Sequence, residues 1–85
     1  MRVLIPSPLR DYTRAAWVEA SGATLGEVLA DLDRRYPGIR FRMVYEQDRL
    51  RRHVRFFVRG APVFELTTPL APGDELLIVQ ALSGG

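Results

Sequence analysis

One strong helix pattern, set among short extended segments, most constrains what this 85-residue chain can fold into. Thr24 and Glu27 match the T-x-x-E capping box, in which the two side chains satisfy free backbone N–H groups at the helix start. The apolar residues that follow recur at helical spacing: Leu25, Val28, Leu29, Leu32 and Tyr36. Pro37-Gly38 ends the pattern. The sequence therefore predicts one amphipathic helix over residues 24–36. Its apolar residues form a stripe along one side, which the other elements must bury.

Two strand candidates precede this helix, at residues 1–5 and 15–19. The link between them, residues 7–14, is long for a tight hairpin. After the helix, residues 39–52 mix apolar and charged side chains without a sustained period. This segment predicts a loop that contains a short helical turn.

Three further strands are predicted in the second half of the chain. Residues 53–59 alternate in polarity, as expected of a half-buried strand, and its inward side chains are Val54, Phe56 and Val58. Gly60-Ala61-Pro62 predicts a turn into a short strand, Val63-Phe64. The unbroken apolar run 76–79 is typical of a central strand that is covered on both faces or paired in parallel.

The resulting order is strand, strand, helix, strand, strand, strand. A hairpin, a helix across one face and a returning central strand predict an α+β fold of the β-grasp (ubiquitin-like) type, with a mixed sheet of four to five strands. We assign Trp17 and the helical stripe to the core. We expect one domain over residues 1–81 and a flexible tail over residues 82–85.

Composition excludes several kinds of chemistry. The chain has no cysteine, so it has no disulfide, thiolate metal site or cysteine nucleophile, and His53 is its only histidine. All twelve basic residues are arginine, which excludes a Schiff-base or P-loop lysine. No apolar run approaches the ~20 residues of a membrane helix, and the start is broken too early by Pro6 for a signal peptide. We expect a cytoplasmic protein that is not an enzyme, with no metal and no bound cofactor.

The C-terminal Gly84-Gly85 is the most informative feature for function. Glycines have no side chains, so they fit a narrow channel, and the terminal carboxylate is a group that ATP can activate as an acyl-adenylate. Two terminal glycines arise by chance in roughly 0.5% of chains. Directly after an apolar central strand, the pair indicates a reactive terminus.

Several further motifs resemble the ubiquitin-like sulfur carriers of the MoaD/ThiS type, and the match covers nearly the whole chain. They are Thr24-Leu25 at the helix start, Val58-Arg59-Gly60, Leu70 with Pro72-Gly73-Asp74-Glu75, the apolar run 76–79 and Gly84-Gly85. The resemblance implies that a MoeB/ThiF-like activating enzyme adenylates Gly85 and consumes the ATP. A sulfur source then displaces AMP to leave a thiocarboxylate, and the carrier itself catalyses nothing.

Details of the sequence indicate the branch of this family. The small subunit of molybdopterin synthase usually has a Pro-Pro-Val-like stretch where this chain has Gln80-Ala81-Leu82-Ser83, and the family's common turn asparagine is Arg59 here. Other segments resemble carriers of cysteine biosynthesis: Ile5-Pro6, Leu9-Arg10, Thr13, residues 36–39 and residues 50–54. The implied acceptor is a cysteine-synthase-like enzyme that uses pyridoxal phosphate. The alternative acceptor is the large subunit of molybdopterin synthase.

Nine of the twelve arginines lie between Arg34 and Arg59. A solvated face explains them most simply, and an anionic partner is the functional alternative. Phe57 lies between Arg55 and Arg59 on the outward side of its strand, which is typical of a protein-contact patch, unless loop 39–52 covers it. We predict that these three residues, with Leu82 and Ser83, bind partner enzymes.

Other candidate groups have simpler explanations. His53 is interpreted as structural, and Asp74-Glu75 as turn residues rather than an acid–base pair. Two other functions stay open beside sulfur transfer. The chain could act as a protein modifier joined through Gly85 to lysines of other proteins, or as a basic β-grasp module that binds RNA. The net charge of only +2 does not favour nucleic acid.

Overall fold

The fold is taken from a computed structural model, which describes residues 1–45, 47 and 49–81. Its five strands are β1 (Arg2–Leu4), β2 (Trp17–Glu19), β3 (Val54–Val58), β4 (Ala61–Val63) and β5 (Glu75–Gln80). The main helix is α2 (Leu25–Arg35), α1 (Arg10–Thr13) is a single turn, and 3-10 turns cover Ser7–Leu9 and Arg40–Arg42. No helix in these ranges is long and apolar enough to cross a membrane.

All five strands form one sheet in the order β2-β1-β5-β3-β4. β5 pairs in parallel with β1, with Val3 opposite Leu76, and every other neighbouring pair is antiparallel. The last strand therefore lies in the middle of a mixed sheet, as the apolar run 76–79 predicted. The five-stranded sheet with one main helix confirms the predicted β-grasp fold.

Local sequence explains both ends of α2. Thr24 is the N-cap residue, and its Oγ1 accepts a hydrogen bond of 3.2 Å from the backbone N–H of Glu27. The Glu27 carboxylate reaches back and accepts 2.9 Å from the N–H of Ala23, one residue before the cap. The helix ends at Arg35, followed by Tyr36 in a non-helical conformation. The predicted boundaries are thus confirmed to within one residue at each end.

The core lies between α2 and the inner face of the sheet. The predicted stripe residues Leu25, Val28, Leu29 and Leu32 are fully buried, and Tyr36 packs against them from the edge. The strands contribute inward side chains at alternate positions: Val3, Val54, Phe56, Val58, Leu76 and Ile78. The apolar side chains of the helix and of the strands therefore pack in one cluster.

Two connecting segments also belong to the core. The long link after β1 folds into the Ser7–Leu9 turn and α1, which bury Leu9 and Thr13. The second segment is the loop over residues 39–52, in which the predicted helical turn is the 3-10 turn at Arg40–Arg42. Among the described residues of that segment, Ile39, Met43 and Val44 have buried side chains.

Trp17 does not lie in the core, so that prediction was wrong. Its side chain is 37% exposed, because β2 is an edge strand and Trp17 faces away from the helix, opposite Leu4. β5 is likewise covered on one face only: Leu76 and Ile78 are buried, whereas Val79 is 47% exposed. The uniform apolar run cannot distinguish a strand buried on both faces from one with an apolar outer face.

The β3–β4 hairpin is tighter than predicted. β4 begins at Ala61, which pairs with Val58, so only Arg59 and Gly60 form the turn. Both have positive φ, of 53° and 77°, which is the requirement of a type I′ hairpin turn. Pro62 fits within β4 because β4 is an edge strand.

Candidate functional site

The described part of the chain ends at Ala81, directly after the central strand. Gln80, the last residue of β5, lies opposite Val54 of β3. The backbone N–H of Ala81 donates a hydrogen bond of 2.8 Å to the carbonyl of His53, which fixes where the tail leaves the sheet. The predicted site residues Leu82, Ser83, Gly84 and Gly85 lie outside the described residues.

An apolar row crosses the outer face of the sheet. Strand register places Leu4 opposite both Trp17 and Leu77, and Phe57 opposite both Leu77 and Pro62. We call these five residues, one from each strand, the outer row. Phe57 and Leu77 are half-buried at its centre. The row gives the side opposite the helix a continuous apolar strip, which is typical of a contact surface.

Charged side chains border the outer row near the start of β5. Arg2 stacks on Trp17, with its Cζ 4.2 Å from the ring centroid, and donates a hydrogen bond of 2.9 Å to the Glu75 carboxylate. Glu19 lies opposite Arg2 on β2. This arrangement of an apolar centre and a polar edge matches the anatomy of protein interfaces.

Two of the predicted patch residues, Arg55 and Phe57, lie on β3, and the third, Arg59, lies in the turn after it. Phe57 is in the outer row. Arg55 is exposed on the side nearer the tail, where it donates to the carbonyl of Arg52. Arg59 lies in the hairpin turn at the opposite end and forms an ion pair with Asp74. The structure thus places Phe57 and Arg55 near one another on the surface, and holds Arg59 in a separate contact.

Asp74 stabilises the turn before β5, as the sequence predicted, whereas Glu75 is the first residue of β5 and not a turn residue. The Asp74 carboxylate accepts hydrogen bonds from Arg59 and from the backbone N–H of Ala71, at 2.8 Å for the latter. These two donors, Arg59 first, hold the pKa of Asp74 below its usual value of 3.8. Glu75 pairs with Arg2 instead, so the two carboxylates point to different partners.

Sequence reasoning did not identify an aromatic and arginine cluster in loop 39–52. The Arg51 guanidinium contacts two aromatic rings, with its Cζ 4.8 Å from the Phe41 centroid and 4.4 Å from that of Tyr45. Its Nε also donates a hydrogen bond of 2.7 Å to the Phe41 carbonyl. Both rings are exposed, Phe41 by 57%. Arginine near aromatics in the sequence was the only available signal, and it did not show which residues meet.

This cluster adjoins the exit of the tail. A cleft of about 270 Å³ is lined by Phe41, Arg42, Arg51, His53 and Gln80. His53 is exposed there, and its carbonyl holds Ala81. Within the described ranges, no group of three or more His, Cys, Asp or Glu side chains could hold a metal ion. Arg42 and Arg51 give this cleft a positive charge, which suits contact with an anionic group beside Gln80.

A five-stranded mixed sheet with its last strand in the centre and one main helix across one face is the β-grasp fold of ubiquitin-like proteins. The model of the ThiS family matches residues 3–85. The chain belongs to the ThiS family.

Individual relatives agree with this assignment. The sulfur carrier protein CysO of Mycobacterium tuberculosis is 39% identical over 89 residues, covering 98% of this chain and 96% of that protein. The crystal structure of the Amycolatopsis orientalis BexX/CysO complex contains a chain that superposes with a TM-score of 0.90 and 36% identity, covering 99% of this chain and 98% of that one. SAMP1 of Haloferax volcanii has a TM-score of 0.80 and 26% identity, covering 100% of this chain and 98% of that one.

Proposed function

We propose that this protein carries sulfur as a thiocarboxylate on its C-terminal residue, Gly85. An activating enzyme transfers AMP from ATP to the Gly85 carboxylate, and pyrophosphate leaves. A sulfide donor then attacks the acyl carbon, the bond to the AMP oxygen breaks, and AMP departs with that electron pair. The observation that carries this proposal is the Gly84-Gly85 pair, which begins four residues after the last residue of the central strand β5 in a member of the ThiS family.

The composition of the chain suits a reactive main-chain terminus. The chain has no cysteine, so sulfur held at Gly85 needs no thiol side chain. It also has no lysine whose amine could attack the adenylate from within the same molecule. Its arginines stay protonated and are poor nucleophiles. In this proposal the chain is a co-substrate of its partner enzymes rather than a catalyst, and it works in the cytoplasm, where ATP is available.

The outer row is the surface that we propose for docking the activating enzyme. Phe57 and Leu77 form its centre, and the exposed edge of Trp17 extends it to the far side of the sheet. Arg55 lies beside the row, on the side towards the tail. An enzyme that covers this face holds the domain while Leu82 and Ser83 lead the glycines into its active site.

The relatives favour cysteine biosynthesis as the pathway. CysO proteins share 36–39% identity with this chain over nearly its full length. We propose that the acceptor is a cysteine-synthase-like enzyme that joins the carried sulfur to an activated serine derivative. The Amycolatopsis CysO was solved with BexX, so a protein similar to BexX is the second acceptor to examine.

Intact mass spectrometry tests the proposal directly. The chain is incubated with ATP, sulfide and the adenylating enzyme of the same organism. We expect one oxygen-to-sulfur exchange in the full-length protein and no exchange in a variant that lacks Gly85. A full-length chain that consumes ATP with this enzyme but gains no sulfur would overturn the proposal.

A second function is favoured by one specific observation. The SAMP1 proteins to which the fold is similar are small archaeal modifier proteins by name, and one is 26% identical to this chain. Modification would join Gly85 to lysine amines of other proteins through an isopeptide bond. Isopeptide-linked peptides ending in Gly84-Gly85 in cell extracts would support it, whereas thiocarboxylate without such adducts supports sulfur transfer alone.

A further inference from the structure

The short tail limits which surfaces a partner enzyme must touch. Ala81 is held by its hydrogen bond to His53, and Gly85 lies four residues further along the chain. Four fully extended residues span at most about 14 Å. An active site that reaches Gly85 must therefore approach Ala81 closely, and the rim of that site must contact the residues around the tail exit. This inference rests on the proposed function.

The residues around the exit form one continuous surface, which we call the collar: Phe41, Arg42, Tyr45, Arg51 and His53. Arg51 bridges the two rings, and the cleft beside β5 joins Phe41, Arg42, Arg51 and His53. The contacts with the two rings and the hydrogen bond to the Phe41 carbonyl hold the Arg51 guanidinium in one place. Less side-chain entropy is therefore lost when a partner binds it.

The charge of this region differs in sign from that of the rest of the molecule. Residues 40–55 contain six of the twelve arginines but only two of the ten acidic residues, which makes the segment net +4 and the remainder net −2. Within the described residues, no carboxylate pairs with the side chains of Arg42 or Arg51. A second cleft, of about 350 Å³, extends the cationic surface through Arg49, Arg52 and Arg55.

We propose that the collar docks on an acidic rim around the channel of the activating enzyme, the channel that receives the tail. Carboxylates on that rim pair with Arg42 and Arg51, while Phe41 and Tyr45 supply apolar contact. Charge complementarity of this kind raises the association rate and fixes the orientation of the complex. The outer row then supplies apolar contact area, and the collar aligns the tail with the channel.

Steady-state kinetics of thiocarboxylate formation tests this proposal. Arg42 is suitable because it is exposed and its charge can be removed without breaking an ion pair among the described residues. We expect Arg42→Gln to lower kcat/KM by about threefold and Arg42→Glu by about tenfold or more, with kcat at saturation unchanged. Raising the salt from about 0.05 M to about 0.5 M should lower kcat/KM of the wild type, and of Arg42→Glu much less.

Arg34→Gln is the matched control, since it removes the same charge from an exposed arginine on α2. Arg34 pairs with Asp31, which keeps Arg35 and the backbone N–H of Ser21 as partners in the variant. We expect wild-type kcat/KM for this control, and circular dichroism should show that both variants are folded.

Three results would overturn the proposal. The first is an Arg42→Glu variant with wild-type kcat/KM at low salt, and the second is an equal loss in Arg34→Gln. The third is salt-dependent binding of a single-stranded RNA oligonucleotide that Arg42→Glu abolishes while the enzymatic rate stays unchanged. A wild-type chain that is never converted would instead show that the proposed function itself is wrong.

Discussion

Phe56 and Phe57 are adjacent residues of the same type on β3, and they lie on opposite faces of one sheet. Phe56 is 1% exposed and packs in the core beneath α2. Phe57 is half-buried on the outer face, between Leu77 and Pro62. The inner face therefore stabilises the fold, whereas the outer face keeps apolar area available for a partner. The neighbouring leucines of β5 differ in the same way: Leu76 is buried on the inner face, and Leu77 is half-buried on the outer face.

The largest expected effect contrasts these two phenylalanines in stability. Phe56→Ala removes a large side chain from the core, and we expect it to lower the free energy of unfolding by about 3–5 kcal/mol. Phe57→Ala loses cross-strand contacts on a half-exposed surface, and we expect a loss of about 1 kcal/mol. Chemical denaturation of both variants measures the difference. Equal losses would mean that Phe57 is a core residue.

The main effect of Phe57→Ala should be on binding rather than on stability. We expect Phe57→Ala to weaken binding to the activating enzyme by about tenfold or more, because an aromatic side chain at the centre of an apolar surface often dominates an interface. Isothermal titration calorimetry on the folded variant measures it. The control is Phe64→Ala, at a phenylalanine that is 69% exposed and outside the outer row. Loss of binding in Phe64→Ala but not in Phe57→Ala would remove the outer row from the docking surface.

The smallest expected effect lies at the hairpin end of the sheet and depends on pH. In the folded state Arg59 and the N–H of Ala71 lower the pKa of Asp74, so they stabilise its charged form. That stabilisation is fully present above the usual pKa of 3.8 and is lost as pH falls through the lower folded value. The melting temperature of the wild type should therefore exceed that of Asp74→Asn at neutral pH.

Lowering the pH below about 4 should narrow this difference in melting temperature. Arg59→Gln provides the control, since it removes the first of the two donors. In that background, Asp74→Asn should lower the melting temperature by less at neutral pH than it does in the wild type. A gap that widens on acidification would contradict the assigned direction of the pKa.

The fold was largely predictable because its signals are local. Thr24 and Glu27 lie three residues apart, so a capping box in the sequence also places the helix start in the structure. Alternation over residues 53–59 likewise identified Val54, Phe56 and Val58 as the inward side chains of β3. The apolar run 76–79 predicted a central strand. β5 does lie in the middle of the sheet.

The features that could not be predicted depend on tertiary geometry. Trp17 is apolar and β-prone, but its exposure follows from the position of β2 at the edge of the sheet. Arg51 is ten residues from Phe41 in the sequence, and only the conformation of the loop brings its guanidinium over that ring. Likewise, the outer row exists only once strand register is known, because each of the five strands contributes one residue.

Locating the transferred sulfur tests the central claim most directly. The only two methionines are Met1 and Met43, and there is no cysteine, so the peptide that trypsin releases after Arg59, residues 60–85, contains no sulfur of its own. After reaction with ATP, the activating enzyme and isotopically labelled sulfide, tandem mass spectrometry of this peptide should place one sulfur atom on Gly85. A peptide without sulfur after ATP turnover, or label at another residue, would contradict the account.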